Sequence, residues 1–407
     1  MSFNKWTLGL AAVGAISLPA VAEETLSPVV SAVKSTTLSG YVDTSAIYVT
    51  GKGGYDVVGR SFDGSSKQNS INLNVVSVAL EKPLDEGQWS AGYRVQMWLG
   101  PDANTLNSLS TTSLFGGGKS SDFALKNAYV QLRVPVGNGL DFKVGTFDTV
   151  IGYEVADAGN NPNYSRSFAF GIEPVIHTGV LASYKVNEII SLSGGIAGRG
   201  DVNNINATSG SRGTWSYLGS IALTAPESAG FLKGATLYAG VVDSGVSKET
   251  ITATPHNATG TDPFDPLNLY AGATIPTPLK GLSIGGSYDY RANGLFDKSY
   301  ENAVGGYLSF QATEKLKLNG RGEYATGSRG SATAAGAFGL PMVDNVGKTA
   351  DNVKLLGVTG TVDYSLWANA ITRLEVRWDH MLNGAQVLND GKAENIISVA
   401  LNVIYKF

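Results

Sequence analysis

Apolar residues alternate with other residues at a period of two along most of the chain, and this alternation is the feature that most constrains the fold. In the stretch 89–100, Tyr93, Val95 and Met97 fall on one face, while Arg94 and Gln96 fall on the other. Side chains of a β-strand point alternately to opposite faces, whereas an amphipathic helix repeats every 3.6 residues. The chain is therefore predicted to be all-β.

The length of these segments narrows the class of β protein. They run about 11–14 residues, whereas globular strands average about 5–6 and a tilted membrane-spanning strand needs about 9–11. Roughly sixteen such segments lie between residues 36 and 407, joined alternately by short turns and long polar loops. This pattern predicts a transmembrane antiparallel β-barrel of about 16 strands, with short periplasmic turns and long extracellular loops.

The last segment, IISVALNVIYKF, ends the chain inside a strand. Its alternate residues from Ile397 to Phe407 are all apolar. In a closed barrel the last strand pairs with the first, near residues 36–50, so that no edge is left unpaired. The terminal Phe407, with Tyr405 two positions earlier, also resembles the carboxy-terminal signature of bacterial outer-membrane barrels. That resemblance implies recognition by the barrel assembly machinery.

The first 22 residues have the features of a secretory signal peptide. Lys5 precedes an apolar run that ends at Pro19, and small residues at 20 and 22 suit cleavage after Ala22. We therefore expect a signal peptide at 1–22, a short periplasmic lead-in at 23–35 and a single barrel domain at 36–407. Export and a β-barrel together predict a bacterial outer-membrane location, with outer-membrane lipid around the barrel.

Composition excludes several function classes. The net charge is −4 and there is no basic stripe, so no nucleic-acid partner is expected. The absence of cysteine excludes disulfides, a thiolate nucleophile and cysteine metal sites. The three histidines show no metal-ligand spacing, and no G-x-S-x-G elbow is present. No metal, cofactor or catalytic residue is predicted.

The middle of the chain carries a more specific set of residues. These are Gly145, Phe147, Gly152-Tyr153-Glu154, Asn161, Tyr164-Ser165-Arg166-Ser167, Phe170, Pro174, His177-Thr178-Gly179 and Tyr184. The passage resembles that of the β-barrel porins described as OmpL-like, and the early strands and the terminal Phe407 fit the same family. The resemblance implies an outer-membrane location and passive passage of solutes. It implies no particular substrate, and no catalytic residues carry over.

Charged residues on the predicted inward faces suggest a water-filled lumen. An Arg or Lys facing lipid at the membrane midplane would cost about 2–4 kcal/mol, and a wet interior removes that cost. The expected lumen wall includes Arg321, Glu323, Arg373, Glu375 and Arg377. These residues could equally form a solvated wall of internal ion pairs.

The loop predicted at 150–173 is long and carries Glu154 and Asp157. In sixteen-stranded porins the third long loop folds into the barrel and narrows the pore. By analogy, we expect Glu154 and Asp157 to face Arg94, Lys143 and Arg133 across a pore constriction. Opposed charges at a constriction select permeating ions by charge.

The sequence thus predicts a porin, a passive aqueous channel for small hydrophilic solutes and ions. Barrels of about 16–18 strands leave such a channel open. A homotrimer is expected by analogy with other sixteen-stranded porins. Two alternatives stay open, namely an outer-membrane β-barrel hydrolase and a secreted β-rich adhesin or structural protein.

Overall fold

The structure is a computed structural model of the 407-residue chain. Among the residues that it describes, no helix is both long and apolar enough to cross a membrane. The predicted signal peptide and the lead-in up to residue 34 lie outside the described residues. Those residues are 35–50, 61–106, 108, 121–198, 215–244, 266–294, 298–328, 338, 352–382, 388 and 393–407.

Sixteen antiparallel strands form one closed barrel in which every strand pairs with its neighbours in sequence, and β16 pairs with β1. The prediction of a sixteen-stranded barrel is confirmed. The strands are β1 Thr37–Val49, β2 Ser70–Lys82, β3 Ser90–Leu99, β4 Phe123–Val134, β5 Leu140–Asp148, β6 Ile176–Lys185, β7 Ile190–Ala197, β8 Ser216–Thr224, β9 Thr236–Asp243, β10 Leu267–Pro276, β11 Leu282–Ala292, β12 Tyr300–Gln311, β13 Leu316–Ser328, β14 Asn352–Tyr364, β15 Ala370–Met381 and β16 Asn395–Lys406.

The barrel closes through the strand that ends the chain. β1 and β16 pair from Tyr41 opposite Lys406 to Val49 opposite Ser398. Next to the first of these pairs, Gly40 and Phe407 exchange two backbone hydrogen bonds of 3.0 Å. The terminal aromatic therefore belongs to the closing seam, which leaves no unpaired sheet edge to face lipid.

The two-residue period separates an apolar outer face from a polar inner face. On β15, Leu374 and Val376 are half exposed on the outside, whereas Arg373, Glu375 and Arg377 are buried inside. Apolar side chains suit lipid contact, and charged side chains avoid the cost of facing it. The five residues expected on the lumen wall lie on this inner face.

A bulge changes the alternation on one strand. The pairing of β3 with β4 shifts register between Gln96 and Met97. A bulge places an extra residue on one strand, and this reverses which side chains point inward beyond it. Lys126 on β4 is consequently buried inside the barrel.

One long connection enters the barrel. The β5–β6 loop, residues 149–175, contains two short 3-10 turns, Ala158–Asn160 and Phe170–Ile172. Most of its side chains are buried against the inner wall. A short helix, α1 (Pro101–Leu106), follows β3 and packs beside β2 and β4.

Candidate pore constriction

The β5–β6 loop first crosses the barrel from β9 towards β12. Ile151 lies close to Gly240 of β9, where a larger residue would collide with it. Tyr153 then stacks on Tyr307 of β12 with ring centroids 4.0 Å apart and accepts a 3.3 Å hydrogen bond from Thr274 of β10. Aromatic stacking and a satisfied hydroxyl fix the outgoing part of the loop to the wall.

Glu154 anchors the centre of the loop to β13. Its carboxylate accepts a 2.8 Å hydrogen bond from Arg321, and both side chains are fully buried. Arg321 also donates to Glu323 at 2.7 Å, and Glu154 accepts the backbone N–H of Ser167 at 2.7 Å. Buried charges are tolerated only when they are paired and their remaining polar atoms are bonded. This cluster meets both conditions.

Asp157 joins the loop to the opposite side of the barrel. It pairs with Lys126 of β4 at 3.0 Å and accepts hydrogen bonds from Tyr41 of β1 at 2.9 Å and Gln96 of β3 at 2.8 Å. Burial on its own would raise the pKa of Asp157, but the Lys126 ammonium and these donors hold that pKa below its ordinary value. Asp157 therefore remains a carboxylate.

The returning part of the loop is held by carboxylates of the wall. Glu375 of β15 accepts the backbone N–H groups of Tyr164 at 2.6 Å and Ser165 at 3.0 Å. Glu323 of β13 accepts that of Phe168 at 2.7 Å. Hydrogen bonds from N–H to an ionised carboxylate are about twice as strong as neutral ones. The wall thus binds the backbone of the loop as well as its side chains.

Arginines satisfy the carbonyl groups of the same loop. Arg373 donates to the carbonyls of Ala158 and Asn161, both at 3.0 Å. Arg377 donates to that of Arg166 at 2.5 Å, and Arg166 itself donates to the carbonyl of Tyr164 at 2.9 Å. Buried backbone groups need such partners, so these arginines stabilise a loop that has little regular secondary structure.

The loop ends against a second pair of acids. Glu173 is half-buried near Asp289 of β11. Its carboxyl group occupies the space that a side chain at Gly152 would need, and Gly152 has a φ of +106°. Burial, and then the adjacent Asp289 carboxyl, raise the pKa of Glu173 well above its ordinary value. Glu173 therefore carries a proton under conditions in which an exposed carboxyl group has lost it.

The inner face of β6–β9, which we call the neutral wall, differs from the wall that holds the loop. Ser183, Ser193 and Ser220 are direct neighbours on β6, β7 and β8, and Gly240 of β9 continues the row. These four residues are part-exposed although they face inward. The neutral wall consists of His177, Gly179, Leu181, Ser183, Ser191, Ser193, Gly195, Ala197, Ser216, Leu218, Ser220, Ala222, Thr224, Thr236, Tyr238, Gly240 and Val242. Small side chains keep the serine row part-exposed, whereas Leu181, Leu218 and Val242 lie in one buried cluster with Ile151 of the loop.

The predicted basic residues lie around this loop but have partners of their own. Arg94 pairs with Glu81 and reaches Asp157 only through Gln96, to which it donates at 3.1 Å. Arg133 pairs with Asp141 at 2.6 Å. The ammonium of Lys143 lies over the ring of Tyr129, 4.9 Å from its centroid. The expected partners of Glu154 thus differ from the observed one, Arg321, because the loop crosses to β13.

Some residues of the site were absent from the sequence prediction. Glu81 lies on the inner face of β2. Its alternation with the outward-facing Val78 and Leu80 could have predicted that orientation from the sequence. Lys126 faces inward through a bulge that leaves no clear pattern in the sequence. The carboxylates of Glu323 and Glu375 were expected on the wall, but their role as acceptors for loop N–H groups depends on contacts far apart in the chain.

Comparisons with known proteins agree with this architecture. A family model described as "Putative beta-barrel porin-2, OmpL-like" matches residues 35–407, so the chain belongs to that family. Comparison with curated protein sequences finds no match.

Similar solved structures include three outer-membrane proteins. OprB of Pseudomonas putida is 11% identical, with a TM-score of 0.56 over 91% of this chain and 94% of that one. The outer membrane channel DcaP of Acinetobacter baumannii is 11% identical, with a TM-score of 0.55 over 91% and 97%. OmpT of Vibrio cholerae in its trimer form is 13% identical, with a TM-score of 0.54 over 91% and 99%. The likeness extends over nearly the whole barrel and concerns the fold.

Proposed function

We propose that this member of the porin family is a passive channel for small hydrophilic solutes and ions, in which the β5–β6 loop sets the narrowest part. The observation that carries the proposal is the unequal filling of the barrel. The loop is packed against β13–β16 with buried ion pairs, whereas serines of the neutral wall stay part-exposed inside the barrel. The permeation path then runs between the loop and the neutral wall.

Rigidity of the loop supports this role. A constriction must keep its size while solutes pass, and the loop is tied to the wall at Glu154, Asp157, Tyr164 and Phe168. In this proposal, Asp157, Arg94 and Lys143 of the predicted constriction residues border the path beside the loop. Arg133 lies nearer the end of the barrel that carries the short turns.

We also propose the cellular arrangement. The short turns face the periplasm and the long loops face outward, as in other bacterial barrels of this kind. A signal peptide cleaved after Ala22 accounts for export, and Tyr405 and Phe407 are presented to the assembly machinery. A homotrimer is proposed because OmpT, a protein of similar fold, is known in a trimer form.

The test is single-channel recording of the purified protein in a planar bilayer under a salt gradient. Stable stepwise openings would support an open channel, and steps in groups of three would support a trimer. A protein that inserts but never conducts would contradict the proposed function. Extraction only with detergent would separate a barrel from a secreted adhesin.

A separate variant tests whether the constriction selects ions by charge. Replacing Glu154 and Asp157 with Gln and Asn should shift the reversal potential, because the part-exposed Asp157 loses its charge and the buried Glu154 that anchors the loop loses its charge as well. Glu314→Gln, an exposed carboxylate in the β12–β13 turn, is the control for a change of net charge alone. An unchanged reversal potential in the double variant would exclude these carboxylates from the selectivity of the channel.

A further inference from the structure

A row of charged side chains crosses the inner wall at the short-turn end of the barrel, below the β5–β6 loop. Lys317 of β13 lies opposite Asp363 of β14, which in turn lies opposite Arg373 of β15. Lys406, near the end of β16, donates to the carbonyl of Gly159 at 3.3 Å. Arg373 donates to the carbonyls of Ala158 and Asn161 in the same turn. The 3-10 turn Ala158–Asn160 therefore brings Lys406 and Arg373 together.

Positive charge is in excess at this place. Asp363 lies near these cations, its closest oxygen 3.5 Å from Nε of Arg373, and Asp157, which also lies near Lys406, is paired with Lys126. That Nε is buried and makes no hydrogen bond. Within the described residues, the ammonium of Lys317 has neither an ion pair nor a hydrogen bond. Asp43, Glu375 and Arg166 also lie within electrostatic range of Arg373.

The acidic residues of the same wall lie elsewhere and are occupied. Glu323 and Glu375 accept N–H groups of the loop, and Asp379 pairs with Arg377 at 2.8 Å. Asp43 accepts hydrogen bonds from Asn74 and Asn402. None of these carboxylates is placed to neutralise Lys317 or Lys406 at the short-turn end.

The row is also accessible. Lys317, Asp363 and Lys406 are part-exposed on the inner face, where lipid does not reach. Their strands begin or end at the short-turn end, so the row borders the vestibule of the channel on that side. Part-exposed ammonium groups backed by a buried guanidinium favour an oxyanion with several acceptor oxygens.

We propose that Lys317 and Lys406, with the buried charge of Arg373 between them, form a binding site for a multivalent oxyanion of the phosphate type at the short-turn vestibule. The site deepens the proposed function, on which its role in permeation rests, by naming a class of solute that the channel would gather. A bound anion beneath the turn Ala158–Asn160 would obstruct the path from that side. Inorganic phosphate entering from the short-turn end should therefore reduce the current more than phosphate entering from the other end.

The test compares phosphate block in the wild type and in Lys317→Gln. Lys317 makes no contact that holds the loop, so the variant removes charge without removing an anchor. We expect the half-blocking phosphate concentration to rise by about tenfold, as loss of one charge-assisted hydrogen bond would produce. Lys280→Gln, an exposed lysine in the β10–β11 turn at the same end, is the matched control and should behave as the wild type.

Two results would overturn the site. Phosphate block in Lys317→Gln could equal that of the wild type, or Lys280→Gln could lose as much block as Lys317→Gln, which would indicate diffuse surface charge. Phosphate binding is also measured in detergent by broadening of its phosphorus NMR line, which needs no conduction. Broadening that depends on Lys317 in a protein without conduction would support the site and contradict the channel. Normal conduction without such broadening would contradict the site alone.

Discussion

The inner wall of this barrel has two sides that differ in charge and in exposure. On β13–β16, Arg321, Arg373 and Arg377 are almost fully buried, because the β5–β6 loop covers them. On β6–β9, Ser183, Ser193 and Ser220 face inward and stay part-exposed. The difference shows that most charges on the first side hold the loop in place, while the serine row of the second side stays part-exposed.

The chemistry of each side suits its task. A loop without regular structure exposes many N–H and C=O groups, and carboxylates and guanidinium groups are strong partners for both. The neutral wall needs no such partners, since its small hydroxyl groups can bond with water or with each other, as Ser183 and Ser193 do at 2.9 Å. Charge therefore identifies the packed side of the lumen, and small polar residues identify the open side.

Removal of the central anchor should have the largest effect. Arg321→Ala leaves Glu154 buried without its cation and Glu323 with only Arg377 at 3.8 Å, and breaking a buried pair in this way costs about 3–5 kcal/mol. We expect the loop to detach from β13, the single-channel conductance to rise and the loop to become sensitive to protease.

The control for that variant is Arg133→Ala. Arg133 and Asp141 form a pair that is about one-third exposed at the short-turn end, and such pairs contribute about 0–1 kcal/mol. Conductance in this variant should stay at the wild-type value. Equal conductance in both variants would mean that buried charge does not hold the loop.

Narrowing of the open side should affect conductance without affecting the fold. Ser193 lies at the centre of the serine row, so Ser193→Trp should place a large ring in the path and lower the conductance strongly. Leu192→Trp on the same strand points towards lipid and should leave the conductance unchanged. A similar fall in both variants would show that the path does not follow the neutral wall.

Part of this contrast can be read from the sequence. The alternation gave the two faces of β15 correctly, because charge on the lipid side is costly. The choice of Glu154 as a loop residue of the constriction also rested on sequence, through its place in a long loop after β5. Its partner Arg321 was predicted only as part of the lumen wall, since no local pattern links Glu154 to a residue 167 positions away.

Other parts of the site depend on local irregularity. The bulge at Gln96 brings Lys126 inside, where it pairs with Asp157, and strict alternation cannot predict such a shift. Likewise, the serine row can be predicted only when the register of three strands is known, and that register follows from pairing in the closed barrel. Fold class follows from local periodicity, whereas ion-pair partners require the whole three-dimensional arrangement.

The loop should also respond to pH through Glu173. Burial, and then Asp289, raise its pKa, so the folded loop holds a proton that the released loop would lose. Attachment is therefore complete below the ordinary carboxyl pKa of 4.5 and weakens as pH rises towards the raised value. Glu154 and Tyr270 also face the Glu173 carboxyl group, and neither supplies a positive charge that would lower its pKa.

The measurement is conductance against pH. We expect the wild type to open further as pH rises, and Glu173→Gln, which cannot ionise, to remove the dependence. Glu314→Gln should follow the wild type, because that carboxylate is exposed in a turn. If the pH dependence of the conductance persists in Glu173→Gln, a group other than Glu173 causes it.

The smallest expected effect compares one hydroxyl group from each side. Thr361 of β14 donates to Glu375 at 2.8 Å and accepts from Asn163 of the loop at 2.7 Å, all three side chains being buried. Thr361→Ala leaves Glu375 and Asn163 each without one hydrogen bond and should lower the free energy of unfolding by about 1–3 kcal/mol. Ser183→Ala removes a hydroxyl that water can replace, so its cost should be at most about 1 kcal/mol. Denaturant unfolding in detergent compares the two variants directly. Equal losses of unfolding free energy would mean that hydrogen bonds to the loop contribute no more stability than those on the neutral wall.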